Sequence, residues 1–169
     1  TRSSDYFDMM FTHRDKINSL ILDSGAFTKN FADKKTAEMI TLAGFISYCR
    51  PKEIRDTFDF IFNYDENFNM DGFGTNQQNL MKINEAGIDV VPVVHDYIGQ
   101  EVDEIGYYTQ KKYPIIALGY SEHKKKNALF NISQAVHKIV SAGLKVHLLG
   151  YTSPKILSNL PVHYCDSSS

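Results

Sequence analysis

The chain has 169 residues, room for one domain with a sizeable core, and its 43% hydrophobic and 22% charged residues exclude a disordered polyelectrolyte. Its net charge of −2, from 18 basic and 20 acidic side chains, argues against a protein that coats a polyanion by charge alone; a site gripping one nucleotide stays compatible with it. Cys49 and Cys165 are too few for a disulfide framework and belong to no CxxC or Cys/His cluster, which points to a reducing cytoplasm and away from zinc, and no apolar run nears the ~18 residues of a membrane span.

Residues 1–18 are polar and aromatic by turns without a period, and are expected to be irregular. No initiator Met or signal-peptide pattern opens the sequence, so the expectation is a start inside a longer gene product. A strand is predicted at 19–23, where an apolar run is cut off by Asp23, Ser24 and Gly25. A buried parallel strand ends in this way, and its carboxyl end is where α/β proteins place chemistry. Asp23 would equally serve as a local turn cap.

A helix is predicted over 32–50, where Ala37, Ile40, Thr41, Gly44, Phe45 and Tyr48 recur at three- and four-residue steps until Pro51. The second strand, 58–64, runs into Asp65 and Glu66. A polar, glycine-containing loop leads to a helix at 75–86, stopped by Gly87. The third strand, 88–94, ends in His95 and Asp96, and a helix follows at 101–112. Ile115–Leu118 is the fourth strand, ending at Gly119. The helix at 127–142 carries Leu129, Ile132, Val136, Ile139 and Val140 on one face, and the fifth strand, 144–149, ends in Gly150. Ser153 and Pro154 start a short helix, and the sixth strand, 162–165, ends in Asp166.

Repeated β–α units with strands this apolar predict a parallel sheet faced by helices. One glycine follows the first strand where a dinucleotide fingerprint needs three, and no P-loop occurs. A (β/α)8 TIM barrel fits the repeat, although six strands do not close one and a barrel seldom takes fewer than ~200 residues. The expectation is therefore α/β: a single, incomplete barrel domain over 1–169. Its open strand edges would be covered by further sequence, a second polypeptide or a second copy.

On such a barrel Asp23, Asp65, His95, Gly119, Gly150 and Asp166 share one rim. Two carboxylates are the equipment for substitution at a sugar C1′: one attacks, the other moves the proton of the leaving or entering group. A third can accept the N–H groups of a purine-like base. Alternatively Asp23, Asp65, His95 and Asp166 would form an oxygen/nitrogen metal site, although no i, i+2 or HxH ligand pair is present. His147 reads as a satisfied interior or rim residue, His137 and His163 as structural. Lys124, Lys125 and Lys126 read as a solvated loop, and Tyr97, Tyr120 and Tyr151 as rings that would stack on a base.

Asp23-Ser24-Gly25-Ala26-Phe27 resembles the Asp-Ser-Gly-Gly-Phe/Tyr motif of the tRNA-guanine transglycosylases. It is closer to the Asp-Ser-Gly-Ala-Phe form of their DNA-modifying relatives, the DpdA-like proteins of phages and bacterial genomic islands. Asn63-Tyr64-Asp65-Glu66 resembles the strand end that reads the base, and Ile116-Ala117-Leu118-Gly119 the one beside it. The segment from His147 to Pro154 is similar to Leu-Met-Gly-Val-Gly-Thr-Pro, and Tyr164-Cys165-Asp166-Ser167 to the nucleophile's strand tip. The likeness spans 19–169 and rests on the order of the motifs. The chain departs from the family at Tyr120, where a second glycine is usual.

The resemblance implies a TIM barrel that exchanges a guanine in DNA or tRNA for a 7-deazaguanine such as preQ0 or preQ1. Asp166 would be the nucleophile and Asp23 the general acid/base. Ser24, Gly25, Phe27, Asp65, His95, Leu118, Gly119 and Gly150 would bind substrate. No cofactor is expected, since the zinc-binding Cys/Cys/Cys/His segment of the tRNA enzymes has no counterpart here. The expected setting is cytoplasmic, with nucleic acid as partner and no membrane. Two other readings stay open: a non-catalytic or split subunit that binds nucleic acid or a partner chain, and a metal-dependent barrel hydrolase.

Overall fold

The structure is a computed structural model that describes residues 8–119, 128–151 and 153–166. Tyr120, the lysines at 124–126, Thr152 and Ser167 lie outside the described residues. Six strands follow in chain order: β1 (Ile21–Leu22), β2 (Phe60–Ile61), β3 (Val93–Val94), β4 (Ile115–Leu118), β5 (Lys145–Leu148) and β6 (Tyr164–Cys165). Every pairing is parallel and joins strands adjacent in sequence; a bridge between Phe62 and Val91 carries the arrangement from β2 to β3. The result is a mixed α/β fold with parallel strands, as the β–α repeat predicts. Among the described residues no ladder joins β1 to β6.

Most strands are shorter than the apolar runs suggest. In the third, Pro92 lacks an N–H and interrupts the ladder, so regular pairing resumes at Val93. The predicted helix at 32–50 is broken, and a helical turn precedes it. The chain forms α1 (Ala26–Phe31), α2 (Lys34–Met39) and α3 (Leu42–Cys49), then α4 (Lys52–Thr57) beyond Pro51. The breaks before α2 and α3 each coincide with a capping side chain. Asp33 Oδ1 accepts the Thr36 N–H at 3.1 Å, and Thr41 Oγ1 accepts the Gly44 N–H at 3.0 Å. A capped backbone has extended dihedrals, so each cap restarts the helix at a new angle even though the apolar spacing runs through it.

The later helices are α5 (Phe73–Glu85), α6 (Glu104–Gln110), α7 (Ala128–Ser141) and α8 (Pro154–Leu157). Both long ones stop at the glycines the sequence marks. At Gly87, φ +77°, Ile88 N–H reaches Ile83 C=O while Gly87 N–H reaches Asn84 C=O. Gly143 repeats this pair of bonds with Ile139 and Val140, giving two Schellman ends. No helix among the described residues is long and apolar enough to cross a membrane.

Alternation along the strands divides the core. Ile116 and Leu118 point to the helices, joining Ile83, Ile105, Ile132 and Ile139, all essentially buried. Each such side chain contributes about 1.5–3 kcal/mol on burial. Ile115 and Ala117 point the other way, to Phe62, Val91 and Val93, with Ile21, Phe60 and Tyr164 alongside. On this second face the Phe60 and Tyr164 ring centroids are 5.4 Å apart. At ~4.8 Å per strand, a flat sheet would hold β2 and β6 about 19 Å apart. The sheet therefore curls strongly about this inner face, bringing its first and last strand tips toward each other.

Candidate active site

The curl gathers the carboxyl ends of the strands around a cleft of about 300 Å³, the size class of a small-molecule pocket. Asp23, Ser24, Phe27, Asp65, His95, Gly119, Gly150 and Asp166 all line it. Of the catalytic and substrate-binding residues the resemblance implies, Gly25 and Leu118 fall outside. Gly25 lines a second cleft behind the Asp23–Ser24 backbone, with Ile40 and Phe45. Leu118 is fully buried on the helix-facing side, in the main core. The Leu118 C=O accepts the Leu149 N–H, the Gly119 N–H donates to Val94 C=O, and the Gly119 C=O accepts the Tyr97 hydroxyl. These backbone groups are thus committed to the fold.

At the tip of β1 the chain turns through Gly25, whose φ of +74° lies in the left-handed region that favours glycine. The turn sets the Asp23 carboxylate over the cleft, 3.4 Å from the Gly25 N–H. Although Asp23 opens to solvent, surrounding protein desolvates it and raises its pKa, helped by the negative charge of Asp166; the N–H groups of Gly25 and Ser24 oppose the rise. Asp23 and Asp166 come from the two ends of the sheet and face each other across the same space.

Asp65, beyond β2, is only 2% exposed. It accepts the Asn63 Nδ2–H group at 2.6 Å and lies 3.1 Å from His95 Nε2, itself buried. Burial raises the Asp65 pKa, and the His95 and Asn63 contacts moderate the rise. Its neighbour Glu66 turns aside to pair with Lys29, which holds that carboxyl below its usual range. Of two adjacent acids, only Asp65 lines the cleft. Asn63 spends both N–H bonds on Asp65 and the Asn76 C=O, and its Oδ1 is the buried side-chain atom left without a hydrogen-bond partner among the described residues. Such an atom costs on the order of 1–3 kcal/mol, a penalty that tends to persist where a site needs it.

His95 is held from several sides. Its backbone N–H donates to Glu104 Oε2 at 2.9 Å, and the Phe68 ring stacks on its imidazole at 4.9 Å. Gly119 leaves the space for it: a Cβ there would meet Val93 Cγ1 at 2.6 Å and His95 Cε1 at 2.9 Å. Asp96, one residue on, is instead a loop cap, accepting the N–H groups of Gly99 and Glu101 at 2.9 Å each. Gly150, φ +70°, donates its N–H to Asp166 Oδ1 at 2.6 Å, and His147 Nε2 lies 3.2 Å from Asp166 Oδ2. His147 is thus the interior histidine the sequence suggests, with a contact to the candidate nucleophile that the sequence does not reveal.

The aromatic lining also differs from expectation. Tyr97 is buried in the main core and Tyr151 packs against that core, whereas Phe27, Phe62 and Phe68 line the cleft. Phe27 and Phe68 lie 6.3 Å apart, within 19° of parallel. Phe60 and Phe62 share the inner face, but the same alternation would add Phe58 and Tyr64, which lie in the main core, so the sequence marks neither Phe62 nor the loop residue Phe68 as cleft lining. Among the described residues no group of three or more His, Cys, Asp or Glu side chains is placed to share a metal ion. Comparison of the chain with protein-family models, curated proteins and solved structures found no match.

Proposed function

We propose that this chain carries out guanine transglycosylation, exchanging a guanine in DNA or tRNA for a 7-deazaguanine through a covalent aspartyl intermediate. The observation that supports it most is the meeting of Asp23 and Asp166, from the first and last strands, across one cleft whose floor holds a third, buried carboxylate. In the first half-reaction Asp166 forms a bond to C1′ as the C1′–N bond breaks. The departing base keeps the electron pair and takes a proton from Asp23, whose raised pKa suits a donor. In the second, the incoming base bonds to C1′, gives a proton to Asp23, and Asp166 departs as carboxylate. Asp65 accepts N–H groups of the base, and Phe27 and Phe68 offer rings against its faces.

The curled run of six parallel strands in sequential order supports an arc of a (β/α)8 barrel as the scaffold. A second chain or second copy would then cover β1 and β6, with the protein at work in the cytoplasm. The test is guanine exchange with labelled guanine against bulk tRNA and duplex DNA, with Asp166→Ala as control. Label entering one polymer, and lost in the variant, is the expected result and names the substrate. Incorporation into neither polymer would remove the reading for this chain.

A further inference from the structure

We propose that His147 is a positioning residue for Asp166, fixing its carboxylate and making it a ready leaving group in the return half of the reaction. The inference rests on the base-exchange reading above. Gly150 N–H meets Asp166 Oδ1 at 2.6 Å and His147 Nε2 meets Oδ2 at 3.2 Å, so a donor faces each carboxylate oxygen. A carboxylate only accepts, and it therefore selects the imidazole tautomer with hydrogen on Nε2. The ring cannot turn away easily. It is 2% exposed, stands edge-on to Phe62 at 4.8 Å, and lies nearly parallel to Tyr164 at 6.3 Å.

Next to His147, β4 presents Ala117 and β6 presents Tyr164. Lys145 Nζ lies 5.9 Å from the Tyr164 ring centroid, and Asp23 and Asp166 repel each other across the cleft. The buried imidazole is thus set against one oxygen of Asp166 by neighbours that are an alanine and two rings.

The chemistry gives that contact a direction. On attack, Asp166 exchanges its charge for an ester bond to C1′. A donor on the carboxylate stabilises the ion more than the ester. It therefore lowers the standing amount of glycosyl-enzyme and speeds the step in which the C1′–O bond breaks, its electron pair returns to Asp166, and the incoming base takes the sugar. In a base-for-base exchange this prevents the protein from stalling as the adduct.

Two variants separate this role from packing. His147→Phe keeps a ring between Phe62 and Tyr164 without the donor, and His147→Gln restores an N–H near the position of Nε2. With nucleic acid and free guanine at fixed concentrations, the equilibrium ratio of covalent adduct to free protein, read on a denaturing gel, should rise roughly three- to tenfold in His147→Phe, since the Asp166 side chain is 45% exposed and water screens the contact. It should return toward wild type in His147→Gln. A ratio unchanged or lowered in His147→Phe would overturn the proposal. The independent measurement is a carbon-13 NMR titration of the Asp166 carboxyl: folded His147→Phe should bind that proton roughly three- to tenfold more tightly. An unchanged titration would overturn the proposal whatever the chemistry. A shifted titration, with no adduct in either the wild type or His147→Phe and no guanine exchange, would uphold the hold of His147 on Asp166 and defeat the transglycosylation reading.

Discussion

Glu104 lies in the first turn of α6 and turns inward, its Oε2 accepting the His95 N–H at 2.9 Å. Burial pushes its carboxyl from an ordinary 4.5 up to about 7, against the lowering effect of the His95 and Asp96 N–H groups. The folded protein therefore binds this proton more tightly than the unfolded chain does. Between about pH 4.5 and 7 the folded state holds more of that proton, so its stability falls as pH rises through the window. The full swing is on the order of 3 kcal/mol. Glu104→Gln mimics the neutral form and keeps an acceptor for one of the N–H groups. Thermal melts should show the variant close to wild type at pH 5 and more stable at pH 8. A difference independent of pH would mean that the carboxylate ionises in the fold without penalty. Asp23 and Asp65 titrate in both proteins, so the comparison isolates Glu104.

The breaks between α1, α2 and α3 are the clearest case of an element the apolar pattern blurs. Ala37, Ile40, Gly44, Phe45 and Tyr48 keep helical spacing across the restart at Thr41, although α2 buries none of its residues and α3 reaches the core through Phe45 and Cys49. The decisive signals are Asp33 and Thr41, whose side chains accept the Thr36 and Gly44 N–H groups. Thr41→Ala should therefore cost about 1 kcal/mol, a fall of roughly 0.5 M in the urea midpoint with the slope unchanged. An unchanged midpoint would show that packing, and not the cap, sets the break. Strand ends were more legible than helix breaks. An apolar run cut by a carboxylate and glycine has one physical meaning in a parallel sheet, so Asp23, Asp65, Gly150 and Asp166 could be assigned to one rim. Leu118 could not be separated from Gly119 in this way, because adjacent strand residues point to opposite faces and the sequence does not say which face is inside. The contacts of His147 with Asp166 and Phe68 with His95 depend on how far the sheet curls, a property set by packing across the inner face and written at no single position.

At the scale of the whole molecule, the curl that builds the cleft also brings two unpaired strand edges near it. β1 and β6 are each paired on one side only among the described residues, and they carry Asp23 and Asp166 at their tips. Exposed parallel edges of apolar strands invite pairing with another chain. Whatever covers them would also close the far side of the cleft, shielding the two carboxylates from water and strengthening the interaction between them. Edge cover and catalysis should therefore be linked. If a second copy supplies the cover, light scattering should show self-association as concentration rises, and exchange activity per chain should increase over the same range. A monodisperse monomer with constant specific activity would separate the two properties and remove the case for a covering copy. A monomer that gains activity only with another polypeptide would assign the cover to that partner instead, because the same two edges and the same two carboxylates would be completed by different means.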